Sequence, residues 1–220
     1  MSEPPEQKRA YDSPRRRQQA EATRRDILRA AQPLFESQGF AATTMAAIAS
    51  EAGVAAKTVY TAFETKGGVL RGLWNLLLRG DDTDVPVMDR AWYREVLDEA
   101  DPARQLELNA RNARAVKQRI AGVLEVIRHA APLDPDSDGL WRRIQSDFYD
   151  NQGAVVASLD AKGALRGDLD ARRATDILWT LNHPDVWQLL VVQRGWTAEQ
   201  YEEWFAATAR DQLLARASGS

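Results

Sequence analysis

Cysteine is absent from the 220 residues, which excludes a disulfide framework, a thiolate metal site and a cysteine nucleophile. The two histidines, His129 and His183, stand far apart and leave little for a zinc centre. No metal and no cofactor are expected. No apolar run reaches the roughly 18 residues of a membrane span, and charge begins at Glu3, which argues against a signal peptide. A soluble, cytoplasmic protein is therefore the expectation. Alternation with period two is missing, as are internal repeats, a Gly-rich phosphate loop and a nucleophile elbow. Asp134, Asp136 and Asp138 alternate in a proline-bounded turn, but the run lacks the glycine and the closing glutamate of a calcium loop. It reads as a solvated turn, and the chain as no enzyme.

What is there is helical and unevenly charged. Apolar residues make up 44% and charged residues 28%, the balance of a globular chain. Residues 1–80 carry 12 Lys and Arg against 8 Asp and Glu, whereas residues 81–220 carry 17 against 24. A basic front suits a polyanion, and an acidic rear does not. Residues 1–19, with three prolines and little apolar, read as a disordered basic arm. Its arginines Arg15, Arg16 and Arg17, with Lys8 and Arg9, could enter a minor groove.

From residue 20, Ile27, Ala31, Leu34 and Phe35 recur at helical spacing as far as Gly39. Short helices follow over 45–52 and 55–62, a fourth runs over 65–79, and the loop 80–86 marks a domain boundary. Further helices are predicted over 88–100, 102–131 (one long helix or two in succession), 140–161, 170–193 (kinked by Pro184 near His183) and 197–215. A capping box, Thr197 to Gln200, opens the last. The chain is all-α.

Two short helices meeting at Gly53 behind a longer one read as a helix-turn-helix. On the second of them, Val59 and Phe63 share a face, while Lys57, Thr58 and Thr61 point the opposite way and Tyr60 lies on the flank. A face with one cation, two hydroxyls and small neighbours suits the major groove. The stretch 23–78 goes further. Its landmarks "ILRAAQPLFESQGFAATTM", "IASEAGVA", "TVYTAF" and "TKGGVL" stand in the order and spacing of the TetR family of transcriptional regulators, whose DNA-binding domain it resembles. The rear, through "DILWTLNHPDVWQLLVVQRGWTAEQYEEWFAATARDQLL", is more loosely similar to that family's last two helices.

The resemblance implies an N-terminal three-helix helix-turn-helix domain (20–80) and a C-terminal helical domain (81–220) for effector binding and dimerisation. Thr44, with Thr43 beside it, would hold a phosphate, as would Tyr60 and Lys66. Ala56, Lys57, Thr58 and Thr61 would face base edges. Ala55 replaces a frequent serine cap, and Ala62 a frequent larger residue. Gly67 and Gly68 stand in the first turn of the fourth helix, at a cost of about 1 kcal/mol each relative to alanine. That start is therefore expected to be soft and to order on DNA, so that alanines there would strengthen operator affinity.

The last two helices would pair with a second subunit through Trp187, Leu190, Val191, Tyr201, Trp204, Phe205 and Thr208. A ligand pocket would lie among Trp92, Tyr93, Leu124, Ile127, His129, Trp141, Phe148, Trp179 and Asn182. His129 also suits a helix C-terminus, and Asn182 suits carbonyls freed at the kink. The resulting expectation is a ligand-responsive regulator, by family default a repressor. It binds a palindromic DNA operator as a homodimer and is released by a small hydrophobic effector. The alternative is a helical dimer of the same fold that acts through protein partners without DNA.

Overall fold

Amphipathic periodicity underlies most of the elements. The computed structural model describes residues 14–79 and 87–215. Among them the chain forms α1 (Pro14–Ala42), α2 (Met45–Glu51), α3 (Ala56–Phe63), α4 (Lys66–Arg79), α5 (Ala91–Asp98), α6 (Pro102–Ala130), α7 (Pro135–Ala161), α8 (Ala171–Leu181), α9 (Pro184–Trp187) and α10 (Ala198–Leu213). The described residues contain no strand, and no helix among them is long and apolar enough to cross a membrane.

Three boundaries differ most from the sequence expectation. Residues 14–19, expected in the arm, form the first turns of α1, because a charged run with good helix propensity extends a helix without an apolar face. Residues 1–13, with Lys8 and Arg9, lie outside the described residues. α7 starts at Pro135 rather than residue 140. The Asp134 carboxylate accepts from the Ser137 backbone N–H (2.8 Å) and hydroxyl (2.7 Å), and Pro135 takes the first helical position, where its missing N–H costs nothing. Near His183 the chain breaks rather than kinks. α8 ends at Leu181, the His183 ring accepts from the Asp185 N–H at 3.2 Å, and Pro184 opens α9, which runs on as a π-helical segment over Gln188–Gln193. The capping box at Thr197 and Gln200 forms in both directions, at 3.1 and 2.8 Å.

Two apolar clusters organise the packing. One joins Phe35, Ile48, Phe63, Leu70 and Leu73 of α1–α4 to Ile120 and Ile127 of α6 and Ile144 of α7. The other gathers Leu106, Val155, Leu159, Leu178, Tyr201, Phe205 and Leu213 from α6, α7, α8 and α10. Burying each such side chain is worth about 1.5–3 kcal/mol. The first cluster runs across the expected boundary at residue 80, so the front helices rest on the rear ones through a continuous core.

Candidate nucleic-acid interface and ligand cavity

Gly53, at φ +65°, turns the chain between α2 and α3, and the Val54 N–H reaches back to the Ala49 carbonyl at 3.0 Å. Thr44 caps α2 by accepting from the Ala47 N–H at 3.1 Å and is itself exposed. Ala55 begins α3 without a side-chain cap. Val59 and Phe63 are buried, which leaves Ala56, Lys57, Tyr60 and Thr61 exposed and Thr58 half-buried. Tyr60 retains 53% exposure. The Thr61 hydroxyl donates to the Lys57 carbonyl at 2.8 Å, so outward it offers lone pairs and a methyl group. Behind α3, the Arg24 guanidinium lies 4.0 Å over the Phe63 ring and donates to the Ala62 carbonyl, tying the helix to α1.

Of the residues expected at DNA, Thr43 is instead structural, and Lys66 makes structural contacts of its own. Thr43 is fully buried. Its hydroxyl donates towards the Gly39 and Leu34 carbonyls at 2.8 and 3.2 Å, where Gly39, at φ +77°, interrupts the helical ladder of α1. The Lys66 ammonium donates to the carbonyls of Phe40 (2.6 Å), Thr43 (2.9 Å) and Ala41 (3.4 Å) and stands 4.2 Å over the Phe40 ring. Burial lowers its pKa, with Asp134 pulling the other way. All three N–H bonds are directed at carbonyls in this structure, so Lys66 clamps the end of α1.

The glycine pair is a fitted contact, not a soft start. A Cβ on Gly68 would stand 2.2 Å from the Phe63 carbonyl oxygen, and one on Gly67 would stand 2.7 Å from both Asp134 Oδ2 and Asp136 Cβ. The start of α4 is thus pressed against the end of α3 on one side and the start of α7 on the other. The turn 132–138 is correspondingly more than solvated loop, since Asp136 accepts from Thr65 and Asp134 caps α7.

Further along α4, Trp74, Asn75 and Leu78 form one wall of a cavity of about 400 Å³. Trp92 and Tyr93 of α5, Asn109, Asn112, Val116 and Lys117 of α6, Phe148 and Gln152 of α7 and Asn182 are among its other lining residues. Trp74 meets Phe148 edge-on at 6.3 Å. Amides hold the wall together, with Asn109 donating to Gln152 (3.1 Å) and Asn112 to the Trp92 carbonyl (2.8 Å). Tyr93 donates to the Asn151 carbonyl at 2.9 Å, and burial pushes its phenol up to about 12.

Comparison with known proteins agrees with this geometry. Residues 27–73 match the family described as bacterial regulatory proteins, tetR family. Over 166 residues the chain is 32% identical to the HTH-type transcriptional regulator TtgR of Pseudomonas putida, covering 73% of this chain and 76% of that protein. The chain belongs to the TetR family of transcriptional regulators. Its fold is also that of NalD of Pseudomonas aeruginosa, described as the secondary repressor of the MexAB-OprM multidrug efflux pump (TM-score 0.64, 21% identity, 89% of this chain and 98% of that one). The SmeT–triclosan complex has the same fold (TM-score 0.70, 17% identity, 88% and 92% covered).

Within this TetR-family chain the expected pocket residues separate. Trp92, Tyr93, Phe148 and Asn182 line the cavity. Leu124 and Trp141 border a second space of about 20 Å³, too small for a ligand. Ile127 is sealed in the first apolar cluster. The His129 side chain is 70% exposed, beside Glu125 at 3.3 Å in the last turn of α6. Trp179 packs edge-on against Tyr149 and His183. The missed members, Asn109, Asn112, Val116 and Lys117, carry a signal: spaced by three, seven and eight positions, they put polar groups on a helix face that burial should make apolar. The expected dimer residues Trp187, Tyr201 and Phe205 are also corrected, because they fill this chain's own second cluster. The large apolar residues that α9 and its π-helical extension leave outward are Leu189 and Val192, 52% and 58% exposed.

Proposed function

We propose that the chain is a ligand-responsive repressor that binds a palindromic operator as a homodimer and releases it when a small hydrophobic effector fills the cavity. The observation that carries this reading is the course of α4. Its first turn is fastened to α1, α3 and α7 through Lys66, Gly68 and Thr65, and its last two turns form the cavity wall. One rigid rod thus touches both the recognition helix and the ligand space. An effector that favours a displaced α4 shifts the spacing of two recognition helices by its differential affinity for the two states.

On the DNA side, Lys57, Thr58 and Thr61, with Ala56, read base edges, while Thr44 and Tyr60 take phosphates. Arg15, Arg16 and Arg17, on the exposed first turn of α1, add sequence-independent attraction. Leu189 and Val192 are the apolar outward residues around which a second subunit pairs. The sign of regulation follows NalD, which is described as a repressor.

Selection of bound fragments from a random duplex library tests the reading. A two-fold symmetric consensus with half-sites about 34–36 Å apart or a multiple of that is expected. No enrichment, or an asymmetric single half-site, refutes it.

A further inference from the structure

Lys117 lies on the cavity wall with 4% exposure. Its ammonium meets a neutral amide oxygen, Asn182 Oδ1, and the Tyr201 ring at 5.5 Å. No carboxylate among the described residues stands within ion-pair distance of it, and desolvation alone pushes its pKa down to about 7. Asp147 and Asp150 also border the cavity, but both are exposed at its mouth, where Asp147 stands 3.8 Å from Arg143. A buried cation without a counter-charge is costly, and proteins place carboxylates against such groups. Here Lys117 and its partner Asn182 instead border the cavity. Asn182 Nδ2 makes no hydrogen bond among the described residues, so a second donor stands beside the ammonium. Trp74, Trp92, Val116 and Phe148 supply apolar wall for a ring system.

We propose that the cavity selects an aromatic carboxylate, one oxygen on the Lys117 ammonium and the other on the Asn182 amide, with its rings among Trp74, Trp92 and Phe148. The assignment rests on the reading of the cavity as the effector site and names the effector's chemical class. A neutral ligand leaves the buried ammonium uncompensated, and a cationic one adds repulsion to it.

The test is calorimetric titration of the full chain with 2-naphthoate, 2-naphthamide and 2-naphthylmethylammonium, repeated on Lys117→Met and Lys117→Arg. Naphthoate is expected to bind about tenfold tighter than naphthamide or better, the scale of a hydrogen bond to a charged group, with the ammonium probe weakest. Lys117→Met should erase that preference while leaving naphthamide affinity nearly unchanged, and Lys117→Arg should keep most of it. Equal affinity for naphthoate and naphthamide, or a preference that survives Lys117→Met, overturns the carboxylate assignment and leaves the cavity reading standing. Failure of all three probes to bind, with Trp74 and Trp92 emission unmoved, overturns both.

Discussion

The Thr65 hydroxyl donates to Asp136 Oδ2 at 3.0 Å and accepts from the Gly68 N–H at 2.9 Å. One oxygen therefore caps α4 and bridges it to α7. Thr65→Ala loses both functions and should lower stability by about 1–2 kcal/mol, the range for removing a threonine cap. Asp136→Ala loses only an exposed bridge and should cost less than about 1 kcal/mol. Urea denaturation of both variants checks this; equal losses would show that the bridge outweighs the cap.

Gly68→Ala should destabilise by about 2 kcal/mol or more, because the added carbon meets a backbone oxygen that cannot swing away. Gly67→Ala should cost less, since its contacts at 2.7 Å are longer than the 2.2 Å at Gly68 and the Asp134 carboxylate can rotate away. Thermal melts give the order. A stabilised Gly68→Ala chain would disprove the close approach.

Lys66 and Lys57 should separate under salt. Lys66→Met removes bonds from an ammonium to three carbonyls and should lower stability by about 1.5–3 kcal/mol, with the salt slope of operator binding unchanged. Lys57→Ala should keep stability and relax base choice at one symmetric pair of positions by about 1–3 kcal/mol. A shallower slope in Lys66→Met would mean that its charge reaches a phosphate after all.

Lys117 couples folding to pH. Its pKa falls from 10.5 in the unfolded chain to about 7 in the fold, so between those values the unfolded chain holds more protons and native stability rises with pH. Below pH 7 the penalty is complete. Lys117→Met should therefore raise the melting temperature most at pH 7 and below, with the gain vanishing towards pH 10.5. A gain independent of pH would point to packing instead of charge.

Much of this architecture was legible in the residues. Helical spacing of Ile27, Ala31 and Phe35, the glycine turn at Gly53 and the capping box at Thr197 each depend on neighbours within a few positions, which a chain displays openly. Long-range partners stay hidden. Lys66 resembles any exposed lysine until the Phe40 and Thr43 carbonyls, 26 and 23 positions away, come within reach. Thr43 and Thr44 are adjacent and chemically alike, yet one faces the core and the other solvent, because the backbone at Thr44 is extended and turns successive side chains to opposite sides. Tyr201 and Phe205 have the spacing of a pairing face, but the same spacing serves an internal core, and the neighbouring helices decide which.

The apolar seam that Leu70, Leu73, Ile120 and Ile144 share sets how this regulator can be re-engineered. A chimera spliced in the 80–86 segment, with a foreign helix-turn-helix head on this C-terminal helical domain, would bring together two half-surfaces that never co-adapted. A workable graft must carry the matching side chains of α6 and α7 along with the head.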